Sequence, residues 1–253
     1  MSDKKLALAL GGGAAKGAFH LGVLDFFEES KITIDAYSGS SIGAIIAASH
    51  ASGVKAKEQL QIFSSKDIKK LLKFNYFRNG LIRIAENQKI LDDLLPIKRL
   101  EDIPKEIYLT AYDLRKKELH YFTEGDTQKL CMASSALIPL FRPISYKDMY
   151  LIDGGLFDSV PIKPFDKNSY EIIAIDLFPK KIKDEKIRRV TLFKSLQRKL
   201  FVQLHENHNF TILNTNQYLT SLEIWDYSMF TFKELEECFK LGYKEAKRHF
   251  SSL

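Results

Sequence analysis

The chain has 253 residues, 45% of them hydrophobic, a formal net charge of +6 and two cysteines, Cys131 and Cys238. That length allows one domain with an ample core, and no apolar run approaches the roughly eighteen residues that a membrane-spanning helix needs. Two lone, distant cysteines point to a reducing cytoplasm rather than a disulfide framework, and a mild positive charge without a recognition module gives no reason to expect nucleic acid as a partner.

In chain order, the first element is the apolar run Leu6 to Leu10, which reads as a short buried strand. Lys4 and Lys5 ahead of it imitate a signal peptide, but the run is too short for a secretory core before three glycines interrupt it. It leads into Gly11-Gly12-Gly13-Ala14-Ala15-Lys16-Gly17, and Ala18 to Glu29 then carries helical spacing through Phe19, Val23, Phe26 and Phe27. The loop fits neither the Walker pattern nor G-x-G-x-x-G, so nucleotide binding is disfavoured. A second strand, Ile34 to Ser38, enters Gly39-Ser40-Ser41-Ile42-Gly43 and then a small-residue helix, Ile42 to Ser49. Strand, loop, helix, strand is a βαβ unit with parallel strands and a right-handed crossover, which lays the glycine loop beside Ser41.

A serine lifted from the backbone at a strand-to-helix turn is a candidate nucleophile, and flanking glycines fit a turn too sharp for side chains. The loop N–H groups then face the oxygen that turns negative when Ser41 attacks a carbonyl carbon. The competing reading is an N-capping serine in a tight turn, with the loop glycines serving strand–helix packing. An α/β-hydrolase places several strands before its nucleophile, and fewer than forty residues precede this turn. None of His20, His50, His120, His205, His208 and His249 sits in a compact strand-end motif. Met149 to Asp153 followed by Gly154-Gly155 does: a buried strand ending in an acid, although an Asp-Gly turn is also common.

Further along, Ile107 to Asp113 and Leu119 to Thr123 read as a hairpin across Arg115-Lys116-Lys117, and Glu171 to Asp176 as a buried strand. Thr231-Phe232-Lys233-Glu234 reads as a capping box for a final amphipathic helix. Basic residues crowd between Lys180 and Lys199, interleaved with Leu192, Phe193 and Leu196, and again at Lys66, Lys69, Lys70 and Lys73. Either stretch suits an anionic lipid surface or a solvated face over the core.

Gly11 to Gly17 with His20-Leu21-Gly22-Val23-Leu24, Gly39 to Gly43, Ala133-Ser134-Ser135-Ala136 and Asp153-Gly154-Gly155 occur in the order seen in patatin-like phospholipases, and the chain resembles a bacterial-type member. The resemblance covers about residues 6 to 161, with Leu241-Gly242-Tyr243 similar to the closing segment. It implies a single α/β domain over residues 5–250, a three-layer α/β/α patatin-like fold with a mostly parallel central sheet. It also implies a Ser41–Asp153 dyad, an oxyanion hole at Gly11, Gly12 and Gly13, an anion-supporting cation at Lys16, and no metal or cofactor. The implied activity is a serine acyl hydrolase acting on phospholipid or related lipid esters; the cysteine usage points to the cytoplasm, and the basic stretches suit peripheral contact with an anionic inner membrane surface. Departures from the pattern are Lys16 for the usual arginine, Ala14 for a fourth glycine, Pro139 one place late, and Asp158-Ser159 for an asparagine pair. They favour, as the alternative, a non-catalytic lipid-binding or regulatory protein on the same fold. A thioesterase or peptidase acting on soluble substrates is a third reading.

Overall fold

A computed structural model describes residues 4–65, 72–74, 82–84, 89–179, 210–229 and 231–251. The strands are β1 (Lys5–Leu10), β2 (Ala36–Gly39), β3 (Leu72–Phe74), β4 (Ile82–Ile84), β5 (Glu106–Asp113), β6 (Glu118–Phe122), β7 (Ile144–Tyr146), β8 (Met149–Asp153), β9 (Tyr170–Ile175) and β10 (Gln217–Leu219). The helices used below are α1 (Ala18–Glu29), α2 (Ile42–Ala51), α3 (Ala56–Ser64), α4 (Lys89–Leu94), α5 (Thr127–Ser134) and α6 (Leu235–Phe250). The central sheet runs β10-β9-β1-β2-β5-β8-β7, with β6 also paired to β5, while β3 and β4 form a separate two-stranded sheet. Strands β10, β9, β1, β2 and β5 are parallel; β6, β7 and β8 join by antiparallel ladders. The architecture is three-layer α/β/α on a mixed, mostly parallel sheet.

The Leu-Ala alternation of β1 explains its two unequal faces. Leu8 and Leu10 enter the main core beneath the helices, with Phe19, Leu21 and Leu24 of α1 and Leu109 of β5. Ala7 and Ala9, with Ala36 and Ala174, face the other way, and their small side chains let Val160, Ile162 and Phe165 lie close over the sheet. Burial on both faces is what parallel strands require. Helices α1 and α6 cross at backbone contact: a Cβ on Gly22 would lie 2.0 Å from the Phe239 oxygen, and one on Gly242 2.1 Å from the Phe19 oxygen. The start of α1 is thereby clamped where it leaves the glycine loop.

The βαβ unit, the β5–β6 hairpin and β9 form where the pattern of residues places them. The second strand is shifted, spanning Ala36–Gly39 instead of Ile34 to Ser38, because its ladder extends to Gly39 opposite both Leu10 and Leu109. No capping box forms. Helix α6 begins at Leu235; the Thr231 hydroxyl accepts instead from the Lys233 N–H at 3.3 Å, and the Glu234 carboxylate from the Ser228 N–H at 3.3 Å. The basic stretch from Lys180 to Lys199 lies outside the described residues, as do Lys66, Lys69 and Lys70. Among the described residues, no helix is long and apolar enough to cross a membrane.

Candidate active site

Strand β5 brings the two sequence-predicted catalytic residues together. Leu109 pairs with both Gly39 and Phe122, and Ala111 with both His120 and Asp153. A strand has only two edges, so β2 and β8 share one edge of β5 while β6 takes the other. Strand β2 runs parallel to β5 and β8 antiparallel, so they meet head to head, Gly39 and Asp153 two β5 residues apart, or about 7 Å. Asp153 does end its strand, but it reaches the site from the opposite direction to Ser41.

The turn carrying Ser41 is strained: its φ of 55° and ψ of −125° are rare for a residue with a side chain. Close packing requires the glycines around it. A Cβ on Gly39 would lie 2.5 Å from Ala44 Cα, and one on Gly43 only 2.2 Å from the Leu10 oxygen. The first turn of α2 thus rests on the end of β1. The strained backbone is held across the fold by Ser134, at the end of α5, whose hydroxyl accepts from the Ser41 N–H at 3.0 Å. Ser134 lay within the Ala-Ser-Ser-Ala block, but its bond to Ser41 arises only when α5 is docked.

The Ser41 hydroxyl lies close enough to the Asp153 carboxylate to act on its pKa. Burial pushes the Asp153 pKa up to about 7, against the opposing hydrogen bonds from the Gly155 N–H, at 2.8 Å, and Ser41. Gly155 has to lack a side chain, since a Cβ there would lie 2.6 Å from Ser40 Oγ and 3.1 Å from Asp153 Oδ1. Ser40 itself is fully buried with an unpartnered hydroxyl.

The glycine loop borders Ser41: a Cβ on Gly12 would stand 3.2 Å from Ser41 Cβ. Its donors are unequal. The Gly11 N–H donates to the Ile175 oxygen at 3.0 Å and the Gly12 N–H to the Ser159 oxygen at 3.2 Å. Among the described residues, the N–H groups of Gly13 and Ala14 have no partner. Sequence reasoning named three loop glycines; the structure leaves free the donors of the third and of Ala14, whose φ of 50° is itself unusual for a non-glycine.

Lys16 has a setting the sequence did not indicate. It is 3% exposed, its ammonium 4.5 Å from the Trp225 ring centroid and 5.3 Å from that of Phe178. Asp158, in place of a family asparagine, is buried; its carboxylate accepts from the Tyr121 hydroxyl at 2.5 Å and faces Lys163 at 3.7 Å. Burial raises its pKa, with Tyr121 and Lys163 opposing. Among the described residues, no cluster of His, Cys, Asp and Glu is arranged to hold a metal.

A family model described as patatin-like phospholipase matches residues 8–166, from β1 through the glycine loop and Ser41 to beyond Asp153. The chain belongs to the patatin-like phospholipase family. Among relatives of this patatin-like chain, an uncharacterised NTE family protein of Mycobacterium tuberculosis is 30% identical over 182 residues, covering 70% of this chain and 50% of that protein. A lysophospholipase of Candida albicans is 26% identical over 189 residues, covering 70% and 13%. The chain therefore spans half or less of the length of these curated relatives. Of solved structures, VipD from Legionella pneumophila matches with a TM-score of 0.63 at 14% identity, over 99% of this chain and 67% of that one, a likeness of fold.

Proposed function

We propose that the protein is a serine acyl hydrolase that cleaves carboxylic ester bonds of phospholipids or related lipids through Ser41 and Asp153. The observation that carries this reading is the strained Ser41 turn set beside a buried carboxylate whose pKa burial lifts to about 7. An ordinary aspartate, near 3.9, is too weak a base for a serine hydroxyl. Asp153 takes the proton as Ser41 Oγ bonds to the carbonyl carbon. The carbonyl oxygen becomes an anion, held by the free N–H groups of Gly13 and Ala14 and by the N-terminus of α2. Collapse of this intermediate expels the alcohol, which recovers the proton from Asp153 and leaves an acyl-enzyme. Water, deprotonated in turn by Asp153, attacks the acyl carbon; Ser41 is reprotonated and the fatty acid leaves.

The lipid substrate class is carried over from the family and its lysophospholipase relative. Contact of the Lys180 to Lys199 stretch with anionic headgroups belongs to the same proposal and rests on sequence alone.

The test is labelling by a fluorophosphonate probe with and without lipid vesicles. Wild type is expected to label, and Ser41→Ala and Asp153→Asn to lose labelling by about 10³-fold or more. The wild-type rate should rise with pH through about 7, as Asp153 loses its proton. A folded wild type that never labels would move the assignment to a non-catalytic lipid-binding protein.

A further inference from the structure

The imidazole of His20 is an apparent misfit in α1. It is fully buried on a helix whose buried residues, apart from His20 and Asp25, are apolar or glycine. Its Nε2 lies 2.7 Å from the Gly11 carbonyl oxygen, which only an N–H can satisfy, so Nε2 carries the proton. The other ring nitrogen, Nδ1, is then an acceptor, and it is buried without a hydrogen-bond partner among the described residues. Burial lowers the His20 pKa to about 4, against the opposing Gly11 carbonyl and the Asp176 carboxylate, so the ring is neutral wherever Asp153 is ionised. A buried nitrogen without a partner is costly, and natural cores rarely keep one without a function.

The peptide planes of the loop show what the ring achieves. The Gly11–Gly12 peptide is bonded at both ends, its carbonyl to His20 and its N–H to the Ser159 oxygen at 3.2 Å. Among the described residues, the next peptide is bonded at neither end: the Gly12 carbonyl and the Gly13 N–H have no partner. The last fixed plane thus immediately precedes the first free donor, and Gly12, between them, is the residue against Ser41.

We infer that His20 is a positioning residue: its Nε2–H locks the Gly11–Gly12 peptide and so aims the Gly13 N–H at the oxyanion formed when Ser41 attacks. This rests on the acyl-hydrolase reading proposed above. It acts through the loop and touches no reacting atom.

The test compares His20→Leu, which removes the donor, with His20→Gln, whose amide nitrogen places a donor close to the position of Nε2. For His20→Leu, a fall of about 10²-fold in kcat and in fluorophosphonate labelling rate is expected, the loss typical of one oxyanion donor, with KM within twofold. Its Tm should stay close to that of wild type, because removing the unpartnered nitrogen offsets the loss of the donor to the Gly11 carbonyl. His20→Gln should recover at least tenfold of the loss. Amide exchange at Gly12, independent of catalysis, should be at least tenfold faster in His20→Leu than in wild type. The inference is overturned by His20→Leu retaining kcat within threefold, by equal losses in both variants, by a change confined to KM, or by unaltered Gly12 exchange. If His20→Leu and the similarly sized His20→Met both fail to fold while His20→Gln folds, the histidine serves stability and the inference is equally overturned. Wild type that does not label, or Ser41→Ala that does, would refute the acyl-hydrolase reading, whereas the exchange result would still report on the brace.

Discussion

At the C-terminal edge of the parallel strands, Ser41 is held at a φ of 55°, Ser40 Oγ and His20 Nδ1 are buried without partners, and Asp153 is buried with a pKa near 7. Toward the opposite edge, where α1 and α2 end, Tyr37, His50 and Glu28 form a chain that superficially imitates a catalytic triad. The Tyr37 hydroxyl meets His50 Nδ1 at 2.7 Å and His50 Nε2 meets a Glu28 oxygen at 2.9 Å. Each of these three side chains has a partner. Glu28 also accepts from the Ala56 N–H at 2.9 Å, and despite burial its pKa is held down by His50 and that N–H. Tyr37 is driven to a higher pKa, first by burial and then by Glu28 and Asp35, the reverse of what a nucleophile needs. Three polar residues in a line therefore do not make a site. What sets the candidate site apart is the combination at one point of a strained serine and a fully buried acid, where two strands end head to head. Unpartnered atoms alone do not, since among the described residues Ser49 Oγ and Gln59 Oε1, on α2 and α3, are also buried without partners.

The contrast is tested most strongly at Asp153. An acid whose folded pKa is raised contributes stability that is complete below its unfolded pKa of 3.8 and is lost as pH climbs through about 7. Asp153→Asn cannot ionise, so above pH 7 it should be more stable than wild type by up to ~4 kcal/mol, the advantage vanishing near pH 4. Urea titrations of both proteins at pH 4 and pH 8 measure this, and an equal stability at both pH values would remove the argument for a destabilised site. The matched network should respond in the opposite sense. His50→Ala leaves the Tyr37 hydroxyl buried and unpaired, a loss of about 1–3 kcal/mol by thermal unfolding with kcat unchanged. Loss of activity at retained stability would break the division between the edges. The smallest effect is at the turn: Ser41→Gly removes the positive-φ strain and should gain about 1 kcal/mol while abolishing labelling, whereas Ser41→Ala keeps the strain and gains nothing from it.

Particular residues show what was legible beforehand. Leu6 to Leu10 and Met149 to Asp153 read as strands because an apolar run bounded by glycine has few other uses, and the two glycine-flanked turns stood out because spacing along the chain is itself the signal. The Thr231 capping box misled because a hydroxyl at the right spacing can serve a local turn equally well. His20 was legible as part of the block that follows the glycine loop, but not its bond to the Gly11 carbonyl, which forms only when α1 packs on the end of β1. The bond from Ser41 N–H to Ser134 joins residues 93 apart and has no local signature.

The sequence by itself determined the βαβ frame, the identity of Ser41 and Asp153 as candidates, and the need for glycine at position 39, since each follows from periodicity or from local steric limits. Only the tertiary structure decided that the Leu10 oxygen leaves no room for a side chain at position 43, that Asp153 arrives on an antiparallel strand, that burial lifts its pKa, and that, among the described residues, Gly13 and Ala14 keep free donors while Gly11 and Gly12 do not. Those outcomes depend on which distant carbonyls and apolar groups surround an atom after packing, and neither a pKa nor a vacant N–H is a property of a residue until its neighbours are in place.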